Sequence, residues 1–174
     1  MNARFQTDRA WGGPIVLAAV LGVFICGGRL ASHGRPAPWL VNESPSLPRG
    51  LYGRRPGAKP GRGDVVAVLQ PAAAQAYLAA QGMPADVLLI KRVAAVGGDR
   101  VCRHGGRVTW PGGRTTARTQ DRRGARLPAW SGCRRLEADA LFLLGDTASS
   151  FDSRYFGPVS RSRATGVYRE VLTW

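Results

Sequence analysis

Residues 87–99 read Val-Leu-Leu-Ile-Lys-Arg-Val-Ala-Ala-Val-Gly-Gly-Asp, an apolar run that ends in a glycine turn. Aliphatic and β-branched residues bounded by turn residues are typical of a buried strand, so a strand is predicted over 87–96. Lys91 lies in the middle of this run, and it and Lys59 are the two lysines among 25 basic residues. An apolar environment lowers the pKa of a lysine, and the resulting neutral amine is a general base. Lys91 is therefore a candidate for proton abstraction, with a solvent-exposed strand lysine as the alternative.

Shorter apolar segments lie on both sides of this strand, and each is bounded by glycine or proline. One alanine-rich segment that begins at a proline predicts a short helix over 71–81. The arrangement indicates a mainly β, antiparallel domain with one short helix. Ordered structure is predicted to begin at 39–41, and the further strands are predicted at 50–54, 64–69, 100–102, 107–110, 140–144 and 166–174.

The chain has 174 residues, enough for one domain with its own core, and a net charge of +14. Ten arginines and a single acid, Asp121, lie between residues 100 and 135. We interpret 112–135 as an irregular excursion, part of a basic insertion over about 103–135 that is suited to acidic lipid headgroups. The chain has no recognisable nucleic-acid-binding motif, so specific binding of nucleic acid is not expected.

The N-terminal region has the composition of a membrane segment. Residues 10–28 carry no charge, and nineteen helical residues span roughly 28 Å, close to the thickness of a bilayer core. A signal peptide cleaved after Gly28 is the alternative, and the flanking arginines do not decide the orientation. The predicted organisation is a tail over 1–10, a transmembrane anchor over 11–30, a juxtamembrane linker over 31–40 and a folded domain over 41–174.

Cysteine and histidine usage limits the possible metal sites. Cys102 and Cys133 can pair in an oxidising compartment, and closing that loop would stabilise the fold by roughly 3–4 kcal/mol. Their spacing matches no zinc ligand set, and the chain has only two histidines, His33 and His104. We therefore expect neither a metal nor another cofactor.

Two polar segments complement the Lys91 strand. In residues 42–52, Pro45 and Pro48 stiffen the backbone on both sides of Ser46, which favours a fixed nucleophile as well as an ordinary turn. The other segment, residues 145–159, directly follows the apolar strand predicted at 140–144. Polar side chains at the end of a strand often bind a ligand or take part in catalysis. A polar turn with a surface ion pair is the alternative, since it has the same composition.

Together the three segments resemble the type I signal peptidase superfamily of bacterial Ser/Lys membrane proteases. The resemblance rests on Lys91-Arg-Val followed by Gly98-Asp99, and on Gly145-Asp146 followed by Asp152-Ser-Arg-Tyr-Phe-Gly157. It extends from about residue 42 to residue 174. The run Ser46-Leu-Pro-Arg-Gly-Leu-Tyr52 departs from the Ser-Met of ordinary signal peptidases. It is similar to the TraF branch, whose members process pilin precursors in plasmid conjugation systems.

The resemblance implies a Ser/Lys dyad in which Ser46 is the nucleophile and Lys91 is the general base. The backbone N–H of Ser46 and the hydroxyl of Ser44 would form the oxyanion hole. Ser150 would orient the Lys91 amine by a hydrogen bond.

A charged pair from the third segment completes the implied site. Asp152 and Arg154 would hold the frame of the site as a charge-assisted pair. The TraF branch is expected to depend on an aspartate in this segment. Asp152 is the best match for that aspartate, and Asp146 is the second. This third segment is one residue shorter than in many signal peptidases, which leaves the assignment of its serine open.

The resemblance also implies the setting. The chain would be a single-pass protein of the bacterial inner membrane with its catalytic domain on the periplasmic side. Its partners would be the lipid bilayer and an exported precursor polypeptide, most of all a conjugative pilin precursor, which would be hydrolysed or cyclised. The alternatives are a general type I signal peptidase, a self-cleaving protein of the LexA or UmuD type, and a non-catalytic basic membrane adaptor. The predicted anchor argues against the self-cleaving type.

Overall fold

The strand that carries Lys91 lies inside a seven-stranded antiparallel sheet. The computed structural model describes residues 36–174, and Pro38–Trp174 form one unit. The larger sheet has the order β1-β2-β11-β3-β4-β9-β10, and a four-stranded sheet has the order β7-β6-β5-β8. The strands are β1 (Trp39–Asn42), β2 (Gly50–Arg54), β3 (Val65–Val68), β4 (Leu89–Val96), β5 (Arg100–His104), β6 (Arg107–Trp110), β7 (Gly113–Thr116), β8 (Gly132–Arg135), β9 (Ala140–Leu144), β10 (Val159–Ser160) and β11 (Ala164–Thr173).

Burial alternates along β4, as the two-residue period of a strand requires. Lys91 is on the buried side with Leu89 and Val93, whereas Arg92 is half-exposed. The neighbouring strands β3 and β9 are buried along their whole length, so Lys91 lies beside a continuous apolar core. The prediction of a buried strand around Lys91 is therefore confirmed.

The predicted irregular excursion over 112–135 is wrong, because its two ends form the strands β7 and β8 of the smaller sheet. Both strands are short, polar and largely exposed, so they lack the alternating apolar pattern that predicts a strand. Pairing with neighbouring strands orders them instead. β8 pairs with β5 so that Cys133 lies opposite Cys102, and the two form a disulfide.

The predicted short helix is present as α1 (Ala72–Ala80), which begins directly after Pro71. The prediction of a single helix is nevertheless incomplete. A one-turn helix, α2 (Ser153–Phe156), lies inside the third polar segment, and a 3₁₀ turn covers Arg161–Arg163. A four-residue helix is too short for hydrophobic periodicity to reveal it. The side chain of Asp152 caps α2 by accepting a hydrogen bond from the backbone N–H of Arg154.

The predicted tail and anchor, and the first half of the linker, lie outside the described residues. Between residue 36 and residue 174, no helix is both long and apolar enough to cross a bilayer.

Candidate active site

Ser46 and Lys91 meet in the folded chain although 45 residues separate them. Ser46 lies in the turn between β1 and β2, and Lys91 reaches it from the middle of β4. The Lys91 Nζ donates a hydrogen bond to Ser46 Oγ over 2.9 Å. Both residues are 5% exposed, so water has little access to either group. This contact has the geometry that a base needs in order to take a proton from a hydroxyl.

Burial changes the acid–base behaviour of Lys91. Desolvation lowers the pKa of the Lys91 amine to about 8, with Arg154 adding to the effect and Asp152 opposing it. An amine with that pKa is neutral in about one tenth of the molecules at pH 7, whereas an ordinary lysine is almost fully charged. Lys91 can therefore act as a base near neutral pH.

A row of hydrogen bonds runs from Lys91 to Asn42. Ser44 Oγ lies 2.7 Å from Ser46 Oγ and donates to Asn42 Oδ1 over 2.9 Å. A hydroxyl has one hydrogen to donate, so Ser44 accepts from Ser46 in this arrangement, and Ser46 accepts from Lys91. The structure thus places Ser44, the predicted oxyanion donor, directly beside the predicted nucleophile.

Asn42 organises the turn that carries Ser46, a role that sequence reasoning missed. Its Nδ2 lies 3.0 Å from each of three backbone carbonyl oxygens, those of Ser44, Leu47 and Pro48. Its Oδ1 accepts from both the backbone N–H and the hydroxyl of Ser44. The side chain is buried, so its loss would leave backbone groups around the nucleophile without partners.

We expect Asn42→Ala to lower the kcat of any reaction in which Ser46 is the nucleophile by about 10- to 100-fold, because a misplaced nucleophile reacts slowly. We also expect a loss of about 1–3 kcal/mol in the free energy of unfolding from the unpaired carbonyls. Turnover assays and chemical denaturation of the same preparations measure both effects. Gln75→Ala, which removes an exposed amide from α1, is the control and should change neither. Full activity of Asn42→Ala would show that the turn holds Ser46 without this side chain.

Ser150 is buried near the dyad, but the predicted hydrogen bond to Lys91 is not formed. Ser150 Oγ has no hydrogen-bond partner within the part of the chain that the structure describes. The hydroxyl packs against Gly145, where an added Cβ would lie 2.2 Å from Ser150 Oγ and 2.7 Å from the carbonyl oxygen of Ser46. Residue 145 therefore has to be glycine for Ser150 and the Ser46 turn to approach this closely.

Asp152 and Arg154 form a buried ion pair, not the surface pair that their composition also allowed. The guanidinium contacts both carboxylate oxygens, with Nη2–Oδ2 at 2.6 Å and Nε–Oδ1 at 2.8 Å. The side chains are 0% and 2% exposed. Asp152 Oδ2 also accepts from the backbone N–H of Gly145, and the next N–H, that of Asp146, donates to the carbonyl of Ser46. The pair is thus connected to the backbone of Ser46 through two successive hydrogen bonds.

The Asp146 side chain, in contrast, faces away from this frame. Its carboxylate pairs with the guanidinium of Arg92 at the surface, at distances of 3.1 and 3.0 Å. Arg92 also binds Glu170. Of the two aspartates considered from the sequence, Asp152 is therefore the one whose side chain contacts the frame of the site.

The dyad opens into a groove with a cavity of about 350 Å³. Apolar side chains of α1 and β4 and of the loop between them form much of its wall, among them Leu78, Met83, Val87 and Leu89. Such a wall suits apolar groups of a ligand. Cys102, Cys133 and His104 form the one cluster of possible metal ligands within residues 36–174, but both sulfur atoms belong to the disulfide.

Comparison with known proteins identifies the family of this chain. The family model for signal peptidase, peptidase S26, matches residues 9–174. Two proteins of Escherichia coli named plasmid transfer protein TraF are 35% and 31% identical to this chain. The alignments cover 77% and 92% of this chain, and 82% and 94% of the relatives. A signal peptidase I of Enterococcus faecalis V583 matches 63% of this chain and 97% of its own, with 20% identity and a TM-score of 0.38.

The family model extends over nearly the whole chain. The two E. coli relatives are more than 30% identical to it, and each alignment covers more than two thirds of this chain and of the relative. The chain therefore belongs to the signal peptidase family, peptidase S26.

Proposed function

We propose that this protein is a serine endopeptidase with a Ser46/Lys91 dyad, and that it processes an exported precursor in plasmid transfer, most of all a pilin precursor. The observation that carries the proposal is the 2.9 Å contact between Ser46 Oγ and a buried lysine amine. The relatives named as plasmid transfer proteins support the choice of pathway. A general signal peptidase is the second candidate, and substrate range separates the two.

In the proposed reaction, Lys91 Nζ takes the proton of Ser46 as Oγ attacks the carbonyl carbon of the scissile peptide bond. The Ser46 N–H and the Ser44 hydroxyl stabilise the oxyanion of the tetrahedral intermediate. The intermediate collapses, the C–N bond breaks, and the leaving amine takes the proton from Nζ. An ester between Ser46 and the acyl part of the substrate remains.

The second half of the reaction determines the product. Attack by water, whose proton Lys91 takes and then passes to the departing Ser46 Oγ, releases a free carboxyl group and regenerates the dyad. Attack by the amino terminus of the same substrate releases a cyclic chain instead. The two products differ in mass by one water molecule, so one measurement distinguishes them.

We place the enzyme at the bacterial inner membrane as a single-pass protein with the folded domain on the periplasmic side. The disulfide between Cys102 and Cys133 supports this location, because disulfides persist in oxidising compartments. The long uncharged segment over 10–28 supports the anchor.

The test is co-expression of the full chain with a candidate pilin precursor from the same transfer region, followed by mass spectrometry of the precursor. We expect the precursor to be shortened in the presence of the wild-type chain and to stay intact with Ser46→Ala. A non-catalytic adaptor would leave the precursor intact in both cases. Processing by Ser46→Ala at the wild-type rate would refute the assignment of the nucleophile.

A further inference from the structure

A second cavity, of about 340 Å³, adjoins the groove of the dyad. The two cavities share Pro45 from the nucleophile turn and the segment Ser149–Phe151. A chain bound with its scissile bond at Ser46 therefore has a path into either cavity. The first cavity has the apolar wall described above, whereas the second is lined largely by polar and charged side chains.

Three arginines, Arg118, Arg122 and Arg123, line this second cavity. All three are exposed, and none of them forms an ion pair within residues 36–174. Positive charge gathered in a concave surface attracts carboxylates and holds them better than the same charges scattered on a convex surface.

The one acid in the lining, Asp121, offsets the charge of at most one of the three arginines, so the cavity keeps a net positive charge. Asp121 Oδ1 accepts from the backbone N–H groups of Arg123 and Ala125 at 2.8 and 2.9 Å. Asp121 Oδ2 accepts from the Tyr77 hydroxyl at 2.9 Å, which ties the turn to α1. Asp121 thus fixes the turn that presents Arg122 and Arg123.

We propose that this basic cavity binds acidic side chains that follow the scissile bond of the polypeptide substrate. The inference rests on the proposed function and adds to it a preference in the substrate. A bound chain has to extend in both directions from the bond that is cut. We assign the residues before the bond to the apolar groove, so that the residues after it cross Pro45 and Ser150 towards the arginines.

A substrate segment fits this cavity better than a lipid surface or a nucleic acid does. The cavity is continuous with the dyad through shared residues, and its volume is typical of pockets that hold small groups. Its floor includes Tyr77, Phe151 and Tyr155, which pack on one another and offer apolar contact to the stem of a side chain. The guanidinium groups at the rim can bind the carboxylate at its end.

The test uses the full chain in detergent micelles and three C-terminally amidated peptides with one cleavage site. The first has two glutamates directly after the scissile bond, the second has two glutamines there, and the third has the glutamates well before the bond. We expect the wild type to cleave the first peptide with a kcat/KM about 5- to 30-fold above that of the second, an advantage that shrinks as salt is raised. The triple variant Arg118→Gln/Arg122→Gln/Arg123→Gln should lose this advantage, so that it cleaves the first two peptides with equal kcat/KM.

Arg114→Gln, which removes an exposed arginine of β7 outside the cavity, is the matched control and should keep the preference. Equal cleavage of the first two peptides by the wild type would overturn the inference while leaving the proposed function intact. The inference would also be overturned if the wild type preferred the third peptide and the triple variant lost that preference. It would be overturned as well if the triple variant lost binding to anionic vesicles but kept the peptide preference of the wild type. Failure of the wild type to cleave any peptide would refute the proposed function itself.

Discussion

Lys91→Arg is expected to abolish processing of the precursor, with a fall in kcat of about 10³-fold or more. Arginine has similar length and charge, but its guanidinium stays protonated at any workable pH and cannot accept the Ser46 proton. The charge at position 91 would persist while the base would be lost. The measurement is the rate of precursor shortening, followed by mass spectrometry, in parallel with the wild type.

Two further variants separate loss of the base from loss of the fold. Lys91→Met places an uncharged side chain of similar length in the same apolar surroundings, so it should fold and be equally inactive. Lys59→Arg alters the other lysine, which is exposed and remote from the dyad, and should process normally. An active Lys91→Arg enzyme would contradict the proposed mechanism.

The same base predicts the pH dependence of the wild type. Because the pKa of Lys91 is lowered to about 8, kcat/KM should rise about tenfold per pH unit below that value and level off above it.

The free energy of unfolding should also depend on the protonation of Lys91. In the unfolded state Lys91 has the ordinary lysine pKa of 10.5, so between about pH 8 and pH 10.5 the unfolded state binds more protons than the folded state. The stability of the wild type relative to Lys91→Met should therefore rise with pH in that window.

Arg154→Ala is expected to lower the free energy of unfolding by about 3–5 kcal/mol, the usual cost of leaving a buried charge without its partner. Asp152 is fully buried, and the variant would remove both of its contacts with the guanidinium. The backbone carbonyls of Thr147 and Ser150 would lose a hydrogen bond as well. Chemical denaturation followed by tryptophan fluorescence measures the change.

The matched control is Arg55→Ala, which breaks an ion pair with Asp64 at 3.0 Å that is largely open to solvent. An exposed pair contributes about 0–1 kcal/mol, so the two variants should differ clearly. Equal losses in the two variants would show that burial adds nothing to the Asp152–Arg154 pair.

How much of the fold the sequence predicts depends on how each strand is stabilised. β3 and β9 are apolar and buried along their whole length, and β4 is mostly apolar and buried on one face, so composition alone predicts them. β7 and β8 are polar and exposed, and pairing with neighbouring strands orders them, so no local pattern distinguishes them from a loop. Spacing along the chain also leaves open which serine meets Lys91 across 45 residues. The resemblance to the Ser/Lys proteases pointed to Ser46.

The supporting residues show the same limit. Asn42 is an ordinary residue for a turn with two prolines, and its five contacts in the nucleophile turn depend on how that turn folds. The proximity of Asp152 and Arg154 in sequence predicts a pair, but their burial depends on how the segment folds, with the backbone N–H of Gly145 donating to Asp152. The predicted role of Ser150 assumed that its hydroxyl faces Lys91, whereas the hydroxyl packs against Gly145.

The row of hydrogen bonds from Lys91 through Ser46 and Ser44 to Asn42 can reverse its polarity. When the amine loses its proton, the Ser46 hydrogen can swing towards Nζ, and the Ser44 hydroxyl is then released from Asn42 to donate towards Ser46. The protonation state of Lys91 in this way determines the orientation of the Ser46 and Ser44 hydroxyls. Loss of the Lys91 proton would thus orient the Ser46 hydroxyl towards the base and the Ser44 hydroxyl towards Ser46 Oγ in a single rearrangement.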